Sequence, residues 1–260
     1  MLYIVVYRGL AQLVARGVRD AEVARSSRVS PTSFLGANSS IGRALHSHCR
    51  GSGFESHLVH QLYFMQIEIE AKFLDIDKEQ LRNILKKVGA TFIHEERLMR
   101  RKNFDYPDNR LQKIGGWIRV RDEGDKVTLA YKQLVNRNID GTKELSLTVE
   151  DFDKTCDLLL AMGLDNKSYQ ETKRERWDLG GVEVTIDTWP WLPTFVELEG
   201  QSEQALKNVA LQIGLDWNLA LHGSVENAYQ TYYNVTEEEV DFWANITFVS
   251  VPEWLEIKRK

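Results

Sequence analysis

Charged side chains alternate with apolar ones along several short segments of this sequence. Residues at i and i+2 lie on one face of a β-strand. The acidic members of these segments are Glu68, Glu70, Asp187, Glu197 and Glu199. The basic members are Lys72, Arg119, Arg121, Lys132, Arg174 and Arg176. Ammonium and guanidinium groups bind phosphate oxygens, and carboxylates bind small divalent cations, so a surface that carries both sets suits a polyanion bound together with a metal ion.

The opposite face of the same segments is apolar, as Ile118 and Val120 show in one segment and Val196 and Leu198 in another. Two interpretations are open. The first is a half-buried sheet whose polar face meets water, which is the usual meaning of this alternation. The second is a closed barrel with its apolar side outward and a charged lumen. Such a lumen is costly without ligands, because buried charges lose their hydration.

The strands that would position these residues follow one another along the chain. Alternation predicts them at 66–75, 117–122, 126–134, 142–149, 172–179, 182–188 and 194–198, with 92–104 as a further extended segment. Glu123-Gly124-Asp125 and Gly180-Gly181 are typical of hairpin connections.

Amphipathic helices are predicted at 77–88, 151–162 and 204–214. The helical spacing of Val240, Trp243 and Ile246 predicts one more near the C-terminus. Because strands do not alternate with helices, we expect an α+β fold that is mainly β: an antiparallel sheet or barrel with helices packed outside it.

The segment Glu68-Ile69-Glu70-Ala71-Lys72 resembles the ExExK signature of the CYTH superfamily. That superfamily is named for class IV adenylyl cyclases and thiamine triphosphatase, and it also includes inorganic triphosphatases. The motif alone is weak, but further segments resemble the family's motifs in the same order. They are Trp117 to Arg121, Val127 to Lys132, Lys143-Glu144-Leu145, Lys173 to Trp177, Val184 to Asp187 and Phe195 to Glu199. The resemblance covers Met65 to about Tyr233.

The resemblance implies a triphosphate tunnel, which is a closed eight-stranded antiparallel β-barrel open at both ends. In such a tunnel the substrate-binding cations would be Lys72, Arg119, Arg121, Lys132, Arg174 and Arg176. The ligands of Mg²⁺ or Mn²⁺ would be Glu68, Glu70, Asp187, Glu197 and Glu199. Glu70, Lys72 and Glu199 would also take part in catalysis.

The basic strand departs from the family pattern. Family members often carry Lys two residues before the Arg of this strand, and that place holds Thr172 if Arg174 is the match. Lys173 suggests a shift in phase, which leaves the roles of Lys173 and Arg176 open.

The expected function is divalent-metal-dependent phosphoryl chemistry on a small triphosphate, first of all hydrolysis of a nucleoside or inorganic triphosphate. ATP, tripolyphosphate and thiamine triphosphate are the candidate substrates. The alternative is a class IV adenylyl cyclase that makes cyclic AMP and pyrophosphate from ATP. A second alternative is a non-catalytic module that binds polyphosphate or a nucleotide. No feature of the sequence separates hydrolase from cyclase cleanly, although the layout, with Asn103-Phe104-Asp105 before a turn, looks closest to cyclase-like members of the family.

The chain divides by composition before Met65. Residues 1–64 hold seven Arg, no Lys and three acidic residues, a net charge of +4, whereas residues 65–260 hold 26 basic and 35 acidic residues, a net charge of −9. Ser39 to Leu45 followed by Gly53 to Ser56 resembles a transfer-RNA gene translated as if it were coding. We therefore expect residues 1–64 to be extraneous and disordered; a flexible arm or a targeting peptide is the other interpretation.

This division predicts a tunnel domain at 65–234 and a C-terminal helix and tail at 235–260. No run of about eighteen apolar residues exists, so we expect no membrane-spanning helix and no membrane partner. The acidic net charge argues against broad nucleic-acid binding. A single cysteine after residue 64, Cys156, suits the reducing cytoplasm. The protein would be a monomer or a homodimer.

Overall fold

Eight antiparallel strands form the framework of the computed structural model, which describes residues 65–260. They are β1 (Gln66–Phe73), β2 (Thr91–Asp105), β3 (Gly116–Asp122), β4 (Val127–Leu134), β5 (Thr142–Val149), β6 (Asp165–Leu179), β7 (Val182–Thr188) and β8 (Phe195–Gly200). The hypothesis that residues 1–64 derive from a transfer-RNA gene lies outside the described residues.

The sheet closes on itself. Its neighbours run in the order β2-β3-β4-β5-β1-β8-β7-β6, and β6 then pairs with β2. Every pairing in this ring is antiparallel. The predicted eight-stranded antiparallel barrel is therefore confirmed. It leaves no open strand edge around the ring, because each strand has two partners.

The strands form where alternation predicts them, with ends that differ by one or two residues and one larger difference in length. β6 begins at Asp165, seven residues before the predicted start. It pairs with β2 along almost its whole length, and its second half, from Lys173 to Leu179, also pairs with β7 on the other side. The hairpin between β6 and β7 turns at Gly180 and Gly181, both with positive φ, a conformation that glycine adopts without strain.

Three predicted helices are present as α1 (Lys78–Lys87), α2 (Phe152–Ala161) and α3 (Glu203–Ile213). Side chains cap their first turns: Asp77 accepts from the amide of Gln80, and Asp151 accepts from the amide of Lys154. No helix within residues 65–260 is long and apolar enough to cross a membrane.

Apolar side chains of the helices cover two parts of the barrel's outer wall. Leu85 of α1 and Leu206 of α3 pack in one cluster with Val184 and Leu198, all fully buried. α2 covers a second part, where Phe152 joins a cluster that includes residues of β2 and β3. Removing this apolar surface from water stabilises the outward-facing side of the sheet.

The outer wall of β5 is not covered by helices in the described part of the chain. Leu145 is 48% exposed and Leu147 is 51% exposed, and Ile67 on the adjacent β1 is 58% exposed. The expectation that helices cover the apolar side of the barrel thus holds for only part of its circumference.

The prediction of a single amphipathic helix through Val240, Trp243 and Ile246 near the C-terminus is wrong. The segment forms α4 (Glu226–Tyr232), α5 (Glu237–Asp241), a two-residue strand β9 (Asn245–Ile246) and α6 (Glu253–Glu256). The helix ends before Trp243 because the chain then turns to pair β9 with β6. Val240 and Ile246 are nevertheless buried in the same cluster. The spacing of the apolar residues therefore indicated correctly which side chains are buried, although they do not lie on one helix.

Candidate active site

The barrel encloses a cavity of about 580 Å³. All eight strands contribute side chains to its lining, and most of those side chains are charged. A cavity of this size is in the range that holds a small-molecule ligand. The charged faces of the strands thus point into an enclosed lumen, which excludes the interpretation of a solvated sheet face.

The charges of the lumen are sorted by strand. The cationic side chains of three consecutive strands, β6, β2 and β3, form what we call the arginine wall: Arg101, Arg119, Arg121, Arg174 and Arg176. The carboxylates of the adjacent strands β1 and β8 form the carboxylate wall: Glu68, Glu70, Glu197 and Glu199. In the ring of eight, β2 lies four strands from β1 and β3 lies four strands from β8, so the two walls face each other.

Lys72 lies at the carboxylate wall and is only 4% exposed. Its Nζ is 3.0 Å from Glu70 Oε1 and 3.1 Å from Glu197 Oε2, and it donates to the Gly223 carbonyl at 2.6 Å. Burial alone would lower the pKa of Lys72, but the Glu197 and Glu70 carboxylates outweigh it and raise the pKa. Lys72 therefore stays charged and holds both carboxylates in place.

Lys132 bridges two carboxylates on neighbouring strands. Its Nζ lies 2.7 Å from Glu68 Oε2 and 2.9 Å from Glu144 Oε2. Burial raises the pKa of Glu68 to about 8 against the pull of Lys132, and the neighbouring Glu144 adds to the rise. For Glu144, burial is outweighed by the hydrogen bond with Glu68 and by Lys132, which together lower its pKa. The two pKa values are shifted in opposite directions, as expected for two carboxylates that titrate as a coupled pair.

Arg174 lies where β6 faces β7 and β8. Its Nε is 2.7 Å from Asp187 Oδ1 and its Nη2 is 2.6 Å from Asp187 Oδ2, while Nη2 also reaches Glu197 Oε1 at 3.1 Å. Burial would lower its pKa, but Asp187 and Glu197 raise it well above the ordinary value. Asp187 is 1% exposed and does not line the cavity, whereas Arg174 does.

The remaining predicted cations also line the cavity and are held by acidic partners. Arg119 Nη2 lies 3.5 Å from Glu144 Oε1, and Arg121 Nη2 lies 2.6 Å from Glu123 Oε1. Burial and the nearby Arg121 lower the pKa of Arg119 to about 10.

The basic strand places its residues in a definite phase. Arg174 and Arg176 line the cavity, and Arg176 Nη2 pairs with Glu183 Oε2 at 2.5 Å. Lys173 is on the other side of β6, with its Nζ 4.9 Å from the Phe248 ring. Arg174 and Arg176 therefore share the lumen face of β6, and Lys173 lies on its outer face. This answers the question of phase that the sequence left open, but only for the positions of these side chains.

Glu199 differs from the other carboxylates, because it forms no ion pair with any residue that the structure describes. Burial, followed by the charges of Glu197, Glu183 and Glu70, raises its pKa to about 7. A bound cation would relieve this repulsion.

The donor set fits a hard divalent cation, since the carboxylate wall offers four carboxylates and Glu199 lacks a counterion. Within residues 65–260, however, no three acidic, histidine or cysteine side chains are gathered closely enough to hold a metal ion. Lys72 lies between Glu70 and Glu197 and binds one oxygen of each.

Several residues of the cavity were not singled out from the sequence. They are Arg101, Glu123, Glu183 and Trp189. Arg101 lies in the run Arg100-Arg101-Lys102, where charges occupy successive positions and alternation cannot show which side chain points inward. Only its pairing with two other strands of the wall places Arg101 in the lumen.

Comparison with known protein families identifies the same region of the chain as the barrel. The model of the CYTH domain matches residues 66–233. A protein of Methanocaldococcus jannaschii named putative adenylate cyclase is 27% identical over 169 residues, which are 64% of this chain and 96% of that protein.

Two solved structures share the fold. A putative adenylate cyclase from Vibrio parahaemolyticus has a TM-score of 0.55 at 18% identity and covers 64% of this chain and 98% of its own. The PH1012 protein of Pyrococcus horikoshii has a TM-score of 0.51 at 20% identity and covers 59% of this chain and 94% of its own.

Proposed function

The chain belongs to the CYTH domain family, and from that premise we propose that it is a divalent-metal-dependent enzyme that hydrolyses a triphosphate bound in the barrel lumen. The observation that carries the proposal is the sorting of charge: an arginine wall on β6, β2 and β3 faces a carboxylate wall on β1 and β8. A polyphosphate would lie along the first wall and a metal ion along the second.

The arginine wall would bind the substrate. Arg119, Arg121, Arg174 and Arg176 present forked donors that match phosphate oxygens, and they would neutralise the charge of the terminal and leaving phosphates. Because Arg174 is anchored on Asp187 by two hydrogen bonds, its remaining donors would be fixed in direction. In the proposal Asp187 positions Arg174, which differs from the metal-binding role that the resemblance implies.

Glu68, Glu70, Glu197 and Glu199 would hold Mg²⁺ or Mn²⁺. The metal ion, when bound, would polarise a phosphoryl oxygen and neutralise charge that develops there. Lys72 and Lys132 would exchange carboxylate contacts for phosphate contacts as the substrate enters, since each now pairs with two carboxylates.

In the hydrolytic step a water molecule would attack the terminal phosphorus. The new bond joins the water oxygen to that phosphorus, the bond to the bridging oxygen breaks, and the diphosphate part leaves. Glu70 or Glu199 would orient the water and accept its proton. Glu199 suits this role because its pKa of about 7 lies near the working pH of a general base.

The alternative function is an adenylyl cyclase, in which the ribose 3′-hydroxyl attacks the α-phosphorus and pyrophosphate leaves. The observation that favours a nucleotide is aromatic: Trp117, which is only half-buried, lines the same cavity as the charges. Its ring offers apolar surface that an inorganic triphosphate does not need. The name of the M. jannaschii relative points the same way.

A product assay of the full chain tests the proposal. Tripolyphosphate, thiamine triphosphate and ATP are supplied separately with Mg²⁺ or Mn²⁺, and orthophosphate, pyrophosphate and cyclic AMP are measured. Orthophosphate from any of the three supports hydrolysis, whereas cyclic AMP with pyrophosphate supports the cyclase. Binding without any product would leave the non-catalytic binding module, which we place last. We also propose that the protein works in the reducing cytoplasm, which the single cysteine after residue 64 suits.

Glu70→Gln is the matched variant for this assay, and we expect at least a hundredfold loss of turnover because a ligand and a proton acceptor are removed together. Glu96→Gln is the control, because Glu96 pairs with Lys78 and does not line the cavity. Unchanged turnover in Glu70→Gln would remove Glu70 from the site.

A further inference from the structure

Arg101 is a buried cation of the cavity without an acidic partner. The side chain lies on β2 and is 8% exposed. Its Nη2 donates to Thr172 Oγ1 at 3.0 Å, and its guanidinium stacks 4.6 Å from the centre of the Trp189 ring. Within residues 65–260 it forms no ion pair, and its buried Nε has no hydrogen-bond partner.

The neighbours of Arg101 make this burial more costly. In the β2–β3 pairing Arg101 stands directly opposite Arg121, where like charges repel. Burial lowers the pKa of Arg101 well below its ordinary value, and the nearby Arg119, Arg121 and Arg174 lower it further. Each of these three neighbours has a carboxylate partner. Arg101 is thus the cation of the wall whose charge the described residues leave uncompensated.

An uncompensated buried guanidinium needs an explanation, because desolvating a charge costs several kcal/mol unless a counterion is supplied. The cavity offers a place for that counterion, since Arg101 lines it from the middle strand of the arginine wall. The guanidinium lies over the Trp189 ring, and this contact restricts the directions in which its free donors can point.

We propose that Arg101 is a phosphate-binding residue of this lumen and contacts the bound polyphosphate directly. The proposal rests on the proposed function only in that a polyphosphate occupies the lumen; it does not require that the polyphosphate be cleaved. The competing role is structural, in which Arg101 only tethers Thr172 and Trp189.

Position 172 allows the two roles to be separated. Thr172 is on β6, 1% exposed, and its hydroxyl contacts the Arg101 guanidinium. A lysine at this position would extend its ammonium group toward the space that the guanidinium occupies. The double variant Arg101→Gln/Thr172→Lys therefore moves the charge from β2 to β6 while removing the original hydrogen bond.

Calorimetric titration of the full chain with tripolyphosphate, in buffer that contains EDTA, measures binding without metal and without turnover. We expect Arg101→Gln to bind tripolyphosphate roughly ten- to a hundredfold more weakly, the usual loss of one charge-assisted contact. We expect the double variant to regain most of that affinity. Arg100→Gln is the control, since Arg100 lies next to Arg101 but pairs with Asp122 and stacks on Phe152 outside the cavity.

Wild-type affinity in Arg101→Gln would overturn the proposal. A weak Arg101→Gln that the added lysine does not restore would also overturn it, because a tether and not a charge would then be missing. Thermal melting shows whether each variant is folded. If Arg101→Gln is unfolded, the comparison of the double variant with wild type tests the proposal instead. Tripolyphosphate binding that depends on Arg101, in a protein that forms no product from any triphosphate, would refute the proposed function alone.

Discussion

Arg174 and Asp187 form a bidentate ion pair across the β6–β7 ladder, with Nε–Oδ1 and Nη2–Oδ2 distances of 2.7 and 2.6 Å. The two residues are also register partners in that ladder. Both oxygens of Asp187 are used in the pair, and the carboxylate is withdrawn from the cavity lining. The pair sets the direction of a guanidinium that would bind phosphate.

Asp187→Asn should therefore act on substrate binding and not on metal binding. An amide offers one oxygen where the carboxylate offers two, so Arg174 loses part of its anchor and its direction. We expect KM for the triphosphate substrate to rise about tenfold or more, while the Mn²⁺ concentration for half-maximal activity changes less than threefold. Steady-state kinetics at varied substrate and varied Mn²⁺ measure both. A selective loss of Mn²⁺ affinity would instead make Asp187 a metal ligand.

Glu199 should make the metal-free protein less stable as the pH rises. Its pKa is raised from 4.5 to about 7 in the folded state, so between these values the folded protein holds a proton that the unfolded chain has released. The free energy of unfolding consequently falls from about pH 4.5 to pH 7 and the loss is complete above pH 7.

Glu199→Gln removes that loss. In EDTA we expect the variant to gain on the order of 1–3 kcal/mol over wild type at pH 8, and little at pH 4.5. Urea denaturation at the two pH values measures the difference. An equal gain at both would show that packing, and not the charge of Glu199, separates the two proteins.

Half-buried Arg82 pairs with the buried carboxylate of Glu175 on the outer side of the barrel, and the variant Arg82→Ala tests this pair. Arg82 Nε lies 3.1 and 3.0 Å from the two Glu175 oxygens, and Trp177 Nε1 donates to Glu175 at 2.8 Å. Glu175 is 2% exposed. Arg82→Ala leaves this carboxylate without its cation, so we expect a loss of about 1–2 kcal/mol in the free energy of unfolding, measured by urea denaturation.

The double variant Arg82→Ala/Glu175→Gln should recover part of that stability, because no buried charge remains. Triphosphate binding by either variant should match wild type, since neither residue lines the cavity. Stability that is unaffected by Arg82→Ala would show that water replaces the guanidinium.

Trp117 distinguishes a nucleotide from an inorganic substrate. Its ring lines the cavity on β3, two residues before Arg119. If the base of a nucleotide rests on this ring, Trp117→Ala should raise KM for ATP about fivefold or more and leave KM for tripolyphosphate within twofold. An equal effect on both substrates would mean that the ring only supports the strand.

Much of the fold follows from patterns that act over a few residues. Alternation locates the strands because side chains of an extended chain point to opposite faces, and Asp77 and Asp151 mark helix starts because their oxygens satisfy free amides. The prediction of a C-terminal helix was wrong because it used such a local pattern alone. Val240, Trp243 and Ile246 are spaced for burial on one side, but this spacing fits a short helix followed by a turn and β9 as well as it fits one helix.

The chemistry of the lumen can be predicted from the amino-acid sequence, because carboxylates and cations occupy alternate strand positions in the order of a triphosphate tunnel. The ion pairs within the lumen cannot, because they depend on the folded barrel. Closure of β6 on β2 brings Arg101 into the arginine wall, and the register of β6 and β7 turns Asp187 toward Arg174. Such pairings depend on strand register and barrel closure, which join residues far apart in the chain and leave no local pattern to read.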